Sequence, residues 1–258
     1  MAKISVVLAT FNEEKNLPEC LESVKDLASE IVIVDGSSTD NTLQIAQKYG
    51  AKTRITTNKQ NFHINKQMAI DMAVYDWILQ LDADERVTPE LAEEIRTVIN
   101  HQSSIINHKS PNGYWIPRKN WFLGRFLTKG GQYPDYTLRL YRNGKGKLPQ
   151  KDVHEQAVVD GEVGYLENPL IHMADLEFGR YFKRWQRYTA FAAGQLKKEG
   201  IKWYNPIVAM KYLLILPVWW FLLTYVRHKG FVDSWQGFVF SFFSALRFPM
   251  SYVKLIAL

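Results

Sequence analysis

Short apolar runs alternate with stretches of helical period over the first hundred residues. The pattern predicts six elements, in the order strand, helix, strand, helix, helix and strand: 4–9, 16–25, 31–35, 41–49, 65–74 and 77–81. Short strands separated by helices are typical of a parallel sheet with right-handed crossovers. The pattern therefore predicts a doubly wound α/β domain, in which a ligand binds beyond the carboxyl ends of the strands.

Each of the three predicted strands ends in a polar cluster, at 10–14 (TFNEE), 35–40 (DGSSTD) and 82–84 (DAD). Because the carboxyl ends of parallel strands share one edge of a sheet, we expect these clusters to meet in space. Asp35 offers a carboxylate to a ribose hydroxyl or a base N–H. The alternative is an ordinary turn in which Asp40 caps the next helix. A dinucleotide site and a P-loop site are disfavoured, because neither G-x-G-x-x-G nor G-x-x-x-x-G-K-[ST] occurs in the sequence.

The third cluster places Asp82, Asp84 and Glu85 directly after a buried strand. Alternation along a strand would point Asp82 and Asp84 the same way and Ala83 into the protein. Two neighbouring carboxylates repel unless a proton or a cation compensates them, and Mg²⁺ or Mn²⁺ suits oxygen ligands at this spacing. The alternative is a strand end before a helix that Thr88 caps.

Composition and charge divide the chain into two regions. A chain of 258 residues can bury a full core and form one α/β domain with an appendage. Residues 176–258 carry 12 Lys or Arg against 3 Asp or Glu, whereas residues 1–175 carry a net charge of −3. We therefore predict a catalytic or binding domain over 1–175 and a basic, aromatic appendage over 176–258.

The cysteine content and the start of the chain indicate a cytoplasmic location. Cys20 is the single cysteine, which excludes an intramolecular disulfide and is typical of a reducing compartment. The apolar run at 4–8 is too short for a signal peptide and predicts a first strand.

The basic region predicts a membrane surface as its partner. Residues 176–199 predict a basic amphipathic helix, and two apolar runs follow at 212–226 and 231–246. A helix over the first run reaches about 22 Å, against roughly 30 Å of hydrocarbon, so we expect helices that lie in the interface. Their cations favour anionic lipid at the cytoplasmic leaflet. The alternative is that this apolar surface is buried in a homodimer interface.

Nucleic acid is a disfavoured partner for the basic region. No RNA-recognition signature is visible, and the positive charge is interleaved with long apolar runs.

Three segments, in this order and spacing, resemble the family 2 glycosyltransferases: SVVLATFNEEKNL (5–17), IVIVDGSSTDNT (31–42) and ILQLDADERV (78–87). That family consists of inverting enzymes with the nucleotide-sugar-binding fold called GT-A. Four further segments resemble bacterial lipopolysaccharide-core β-glucosyltransferases: NFHINKQMAI (61–70), YWIPRKNWFLGR (114–125), YPDYTLRLYR (133–142) and LPQKDVHEQ (148–156). The resemblance therefore implies a GT-A domain over roughly the first 175 residues.

The resemblance also implies roles for residues of the polar clusters. It implies a uridine-binding set at Thr10, Asn12, Glu14 and Asp35. It places Asn65 and Lys66 near the nucleotide or diphosphate.

The same resemblance implies a metal site for Mg²⁺ or Mn²⁺. Asp84 would be the direct ligand, and Asp82 would approach both the ribose and the metal. His172 follows a probable strand and would complete the metal site or touch the diphosphate; the alternative is a hydrogen-bonded structural histidine.

Inverting transfer needs a carboxylate that takes a proton from the acceptor hydroxyl. We favour Glu155, followed by Asp152 and Asp135, and the alternative is an acid in a solvated loop.

Three arginines, Arg118, Arg139 and Arg142, offer forked donors to the diphosphate or the acceptor, with surface ion pairs as the alternative.

The function expected is therefore metal-dependent, inverting transfer of a sugar from a UDP-sugar, with UDP-glucose the first choice, to a lipopolysaccharide-core or lipid-linked acceptor. We expect a peripheral or monotopic protein on the cytoplasmic side of the inner membrane. The alternatives are a polyprenyl-phosphate glycosyltransferase and a noncatalytic protein that binds nucleotide sugars or nucleic acid.

Overall fold

A computed structural model describes residues 2–59, 61–104, 110–150 and 156–258 of the chain. The chain forms two compact units. The first contains residues 1–118 and 136–172, and the second contains 119–135 and 173–258. The hydrophobic pattern did not predict that 119–135 packs with the C-terminal residues.

The described residues contain twelve strands: β1 (Ile4–Thr10), β2 (Glu30–Asp35), β3 (Lys52–Ile55), β4 (Trp77–Leu81), β5 (Glu85–Val87), β6 (Gly113–Phe122), β7 (Arg125–Phe126), β8 (Asp135–Arg142), β9 (Gly146–Lys147), β10 (Val158–Val159), β11 (Val163–Tyr165) and β12 (Leu170–Asp175). They contain seven longer helices: α1 (Leu17–Val24), α2 (Thr42–Lys48), α3 (His63–Asp71), α4 (Pro89–Ser104), α5 (Phe178–Lys198), α6 (Pro206–Arg227) and α7 (Ser234–Ile256). The six elements predicted from the hydrophobic pattern are all present, with bounds that differ by no more than three residues.

One sheet carries most of the strands, in the order β3-β2-β1-β4-β8-β6-β12-β5. Strand β1 pairs in parallel with β2 and with β4, and β2 pairs in parallel with β3. Strand β8 pairs antiparallel with β4 and so reverses the direction of the sheet at that point. The predicted doubly wound, mainly parallel α/β fold is confirmed, with antiparallel strands added beyond β4.

The core of the first unit lies against both faces of the central strands. Strand β1 is buried at nearly every position, which explains its continuous apolar run instead of an alternating one. Helix α1 buries Leu17, Cys20, Leu21 and Val24, which share one face at helical spacing. Cys20 therefore packs as a small buried hydrophobe.

Helix α4 begins where the sequence predicts. The Leu91 backbone N–H donates to Thr88 Oγ1 at 3.1 Å, which satisfies one of the free N–H groups of the first turn.

The second unit is built from helices α5, α6 and α7 and the segment 119–135. Helix α5 buries Tyr181, Trp185, Thr189 and Ala193, a stripe with a spacing of four residues. The Trp185 indole donates to the Phe243 carbonyl of α7 at 2.9 Å. The predicted amphipathic helix is therefore present, and its apolar stripe packs within the unit.

Helices α6 and α7 are longer than the apolar runs that predicted them. Helix α6 has 22 residues, because it begins at Pro206 and includes six residues, 206–211, that lie before the predicted apolar run. Its length is about 33 Å, and the segment 230–256 with α7 is also long and apolar enough to cross a membrane. The sequence estimate of about 22 Å for the first helix was too short.

Candidate active site

The polar clusters after β1 and β2 meet at one edge of the sheet, as predicted. Thr10 pairs in register with Asp35, so the two strands end side by side. The Asn12 backbone N–H donates to Ser38 Oγ at 2.8 Å, and Asn12 Oδ1 accepts from the Thr39 N–H at 2.8 Å. The two loops are thus joined by reciprocal hydrogen bonds, and Asn12 adopts a positive φ of 55° to make them.

Asp35 organises the turn after β2. Its carboxylate is fully buried and accepts hydrogen bonds from Thr10 Oγ1 at 2.8 Å, the Ser38 N–H at 2.7 Å and Ser38 Oγ at 2.6 Å. A carboxylate that accepts three protein donors in a buried position holds the loop in one conformation. Asp35 therefore shapes the edge at which the other polar groups lie.

Glu14 and Asp40 close the same loop pair from its other side. Glu14 Oε2 accepts from the Asn41 backbone N–H at 3.1 Å and from Asn41 Nδ2 at 2.9 Å. Asp40 accepts from the Thr42 N–H at 3.0 Å and from the Glu14 N–H at 3.1 Å. The N-cap residue of α2 is Asn41, without a side-chain capping bond, and Asp40 bonds the first helical N–H from one residue earlier.

Residues 82–85 form a turn, which corrects the expectation of a continuing strand. Strand β4 ends at Leu81, and the Glu85 N–H donates to the Asp82 carbonyl at 2.9 Å. The Glu85 carboxylate accepts from the Asp82 N–H at 2.9 Å and closes the turn. Ala83 is buried as predicted, but Asp82 and Asp84 contact different partners because strand alternation stops at Leu81.

Asp82 is compensated by protein cations. Its Oδ1 forms an ion pair with Lys66 Nζ of α3, and its Oδ2 accepts from Arg139 Nη2 of β8 at 2.6 Å. Arg139 Nη2 also donates to Glu85 Oε1 at 2.8 Å, and Arg118 Nη1 lies 3.4 Å from the same oxygen. We call Lys66, Asp82, Glu85, Arg118 and Arg139 the ionic cluster.

The ionic cluster fixes the charge state of its members. Burial by itself would raise the pKa of Asp82, but the Arg139 guanidinium and the Lys66 ammonium outweigh it and hold that pKa well below its usual range. Burial would lower the pKa of Arg139, yet Asp82 and Glu85 raise it. Asp82 is therefore a carboxylate, and Arg139 a cation, throughout the range in which a cell works.

Two buried polar atoms beside the cluster lack a hydrogen-bond partner among the described residues. They are Asn65 Oδ1, on α3, and Arg139 Nε, on β8. A buried polar atom without a partner costs about 1–3 kcal/mol, so such positions are explained by a ligand that supplies the missing bond. Asn65 can accept from a ligand and Arg139 can donate to one.

Asp84 points to a different neighbour, His172 of β12. The His172 Nε2 atom lies 3.6 Å from Asp84 Oδ1, and β12 reaches the turn because His172 pairs in register with Glu85 of β5. Within the described residues no group of three or more His, Cys, Asp and Glu side chains converges. One carboxylate and one imidazole nonetheless fit a divalent ion that takes its remaining ligands from water and phosphate oxygens.

Arg142 lies away from this edge. Arg142 is opposite Trp77, at the start of β4, with its guanidinium 5.0 Å from the Trp77 ring centroid. Because β8 runs antiparallel to β4, Arg142 and Arg139 are displaced toward opposite ends of the sheet. Asp135 belongs to the second unit, where its carboxylate accepts from Asn120 Nδ2 at 3.0 Å.

The two preferred candidates for the base, Glu155 and Asp152, lie outside the described residues. The next described residue, Gln156, accepts hydrogen bonds through Oε1 from Thr137 Oγ1 at 3.2 Å and the Leu138 N–H at 3.3 Å. Thr137 and Leu138 immediately precede Arg139 on β8.

Sequence reasoning did not identify Glu85 as a buried member of the ionic cluster. Its side chain is fully buried and contacts the Asp82 N–H, Arg139 and Arg118. The alternation of Glu85, Arg86 and Val87 in β5, with the outer two buried, was the available signal, because period two points both side chains inward.

Comparisons with known proteins bear on the family and the fold of this chain. The family model described as Glycosyl transferase family 2 matches residues 5–156. A lipopolysaccharide core biosynthesis glycosyltransferase, LpsC of Rhizobium meliloti, is 29% identical over 260 residues, which cover 95% of this chain and 91% of the relative. An uncharacterized glycosyltransferase of Rickettsia typhi is 29% identical, with 93% of this chain and 82% of the relative covered.

Among solved structures, Staphylococcus aureus TarS 1–349 in complex with UDP-GlcNAc aligns with a TM-score of 0.52 at 16% sequence identity. The alignment covers 99% of this chain and 91% of that chain. The two proteins therefore share a fold, of the GT-A type.

Proposed function

The chain belongs to glycosyl transferase family 2, and on this premise we propose that it transfers a sugar from a UDP-sugar, with inversion and with a divalent cation, to a lipopolysaccharide-core or lipid-linked acceptor. UDP-glucose is the first donor to test. The observation that carries the proposal is the ionic cluster at the carboxyl ends of the strands, with Asp84 and His172 beside it.

The nucleotide end of the proposed site lies along the first two loops. Thr10, Asn12, Glu14 and Asp35 form a hydrogen-bonded edge whose conformation is already fixed. Such an edge needs little reordering when a nucleoside binds, which lowers the entropic cost of binding. Asn65 Oδ1 adds a buried acceptor for a donor group on the nucleoside.

The diphosphate end is served by Lys66 and Arg139. Both cations are oriented by Asp82, so they are in place before the leaving diphosphate gains charge. The free Nε–H of Arg139 supplies a donor toward an anionic ligand. In this proposal Asp82 acts mainly by holding these cations, beyond the ribose and metal roles implied by the resemblance.

Asp84 and His172 are the residues that would hold a divalent ion. When bound, such an ion neutralises charge on a diphosphate leaving group. In this proposal the residues named above at the nucleotide and diphosphate ends bind the donor and hold it in one orientation. Because they are largely buried, they also exclude water.

The proton of the acceptor hydroxyl passes to a carboxylate in the same step. The acceptor oxygen forms a bond to the anomeric carbon as the bond to the diphosphate breaks, and the carboxylate keeps the proton. We propose Glu155 for this role, with Asp152 and then Asp135 as alternatives. Gln156 supports this proposal. It follows Glu155 in the sequence, and its side chain forms hydrogen bonds with the residues of β8 that precede Arg139.

We propose the cytoplasmic face of the inner membrane as the site of action. LpsC, which is similar over most of its length, is described as a lipopolysaccharide core biosynthesis enzyme. The second unit exposes large apolar side chains on α6 and α7, among them Trp219, Leu222 and Trp235. Arg227 is the last residue of α6, and Lys229 lies between α6 and α7; both favour an anionic leaflet. A homodimer contact is the alternative use of this surface.

A panel of UDP-sugars, incubated with a bacterial membrane lipid extract, tests the proposed reaction. We expect UDP release that requires Mg²⁺ or Mn²⁺ and stops when EDTA is added. Asp84→Ala should lower the rate about 100-fold or more, because it removes a proposed metal ligand. The control Asp71→Ala changes a carboxylate whose described bond is to Gln67, and should retain activity. Full activity of Asp84→Ala with an unchanged melting temperature would refute the metal role.

The apolar helices also favour a polyprenyl phosphate as acceptor, which leaves the donor site unchanged. Product analysis distinguishes the two acceptors, because the labelled sugar then appears on a small lipid phosphate and not on lipopolysaccharide.

A further inference from the structure

Three aromatic side chains form a cluster on the first unit, at the edge of one of its core clusters. Trp115 of β6 and Tyr165 of β11 stack with ring centroids 6.4 Å apart and an interplanar angle of 19°. Tyr136 of β8 meets Tyr165 edge to face, with centroids 5.0 Å apart. We call these three residues the aromatic platform.

The two tyrosines of the platform are exposed to solvent, and Trp115 is half-buried. Tyr165 is 63% exposed and Tyr136 is 39% exposed, whereas the other large side chains of β8, such as Leu138 and Tyr141, are buried. Pairing between β6 and β11 places Tyr165 beside Trp115 in register, so the sheet itself sets the ring spacing. A fixed, exposed set of aromatic rings is a preorganised surface for a flat apolar ligand.

The platform lies close to the ionic cluster along a single strand. Tyr136 precedes Arg139 by three residues on β8, which is about 10 Å along a strand. Thr137 and Leu138, between them, bind the side chain of Gln156. The backbone positions of the platform and of the ionic cluster on β8 are therefore separated by about 10 Å, a length comparable to a disaccharide.

We infer that the aromatic platform binds sugar rings of the acceptor glycan. The C–H face of a pyranose packs on the negative face of an aromatic ring, and its hydroxyl groups can bond to the tyrosine hydroxyls. Three rings make a patch of the size of one or two sugar units, smaller than the several hundred square ångströms of a typical protein contact. The inference rests on the proposed function, since it assigns the platform to the acceptor of that reaction.

Substitution of the platform should weaken acceptor binding and leave donor binding unchanged. We expect Tyr165→Ala to raise the KM for the acceptor about 3- to 10-fold, and Tyr136→Ala with Tyr165→Ala to raise it further. The KM for UDP-glucose and the rate of UDP-glucose hydrolysis without acceptor should not change. Tyr165→Phe keeps the ring and should retain most of the affinity.

Val163→Ala is the matched control. Val163 lies two residues before Tyr165 on the same strand and is 37% exposed, but it has no ring. Its acceptor KM should equal that of the unchanged protein. An equal rise in this variant would show that loss of β11 packing, and not loss of the ring, weakens binding.

Saturation-transfer NMR with core oligosaccharides freed of lipid A tests the platform without turnover. We expect transfer to the sugar C–H protons in the unchanged protein and in Tyr165→Phe, and its loss in the double alanine variant. If the sugars show no transfer, or equal transfer in the double variant, the inference is wrong. If transfer depends on the platform while no UDP-sugar is consumed, the proposed reaction fails and the saccharide site stands.

Binding to vesicles of anionic phospholipid is measured with the same variants. A loss of vesicle binding in Tyr165→Ala, with oligosaccharide binding unchanged, would assign the platform to lipid and overturn the inference.

Discussion

The two compact units place charged and apolar groups in opposite ways. In the first unit, Arg139 and Glu85 are buried and pair with each other at the ends of the strands. In the second, apolar side chains such as Trp219 and Trp235 of α6 and α7 are exposed, and Asp233 is buried. Burial of charge costs free energy that pairing must offset, and exposure of apolar surface forgoes the gain from burial.

The difference indicates that each unit is shaped for a different kind of partner. Fixed internal charges suit a small anionic ligand, because they need no reorganisation when it binds. Exposed aromatic and aliphatic side chains suit an extended apolar surface. The second unit also buries two acids. Asp233 accepts from the Thr128 N–H at 2.9 Å, the Lys129 N–H at 2.7 Å and Thr128 Oγ1 at 2.8 Å. Asp175 forms an ion pair with Arg184.

Glu85→Ala tests the buried charges most severely. It leaves the buried Arg139 with one anion fewer and opens the turn at Asp82, so we expect a loss of about 3–5 kcal/mol in unfolding free energy. Urea denaturation measures it. The control Asp160→Ala breaks the exposed pair with Lys145 and should change stability little. Equal effects of the two substitutions would show that burial does not distinguish these ion pairs.

Asp233→Ala tests a buried acid of the second unit. The Thr128 and Lys129 N–H groups lose their acceptor, so we expect a loss of about 2–3 kcal/mol and faster tryptic cleavage at Lys129. Glu177→Ala is the control, because Glu177 precedes α5 without a side-chain capping bond. Unchanged cleavage at Lys129 in Asp233→Ala would contradict the stated role of these bonds.

The depressed pKa of Asp82 predicts how stability changes with pH. The folded state favours the carboxylate more than the unfolded state does, whose pKa is about 4. The resulting stabilisation is complete above about pH 4 and is lost as the pH falls further. Urea denaturation between pH 3 and 6 should show this decline, with a smaller slope in Asp82→Asn. An identical slope in both proteins would mean that Asp82 does not contribute.

Trp219→Ala gives the smallest expected effect. Trp219 is 59% exposed on α6, and its loss should lower partition onto anionic liposomes about 10-fold in a flotation assay. Val74→Ala removes an exposed side chain of the first unit and serves as the control. Equal flotation of all three proteins would favour the homodimer contact, which sedimentation analysis then detects.

The local pattern predicted the parallel half of the sheet well. Strands β1, β2 and β4 are buried on both sides, and a continuous apolar run between helices is distinctive of that environment. The shortest strands were less accessible to sequence reasoning. Strand β7 in the main sheet, and β9 and β10 in a separate two-stranded sheet, are two residues long and carry no measurable period.

The amino-acid sequence by itself determined which side chains end the strands and the family to which the chain belongs. Only the tertiary structure decided their partners. Arg139 reaches Asp82 from 57 residues away because β8 runs antiparallel to β4, and the same direction carries Arg142 toward the other end. A charge is compensated by whatever the sheet order places beside it, and strand order and direction are properties of the folded chain.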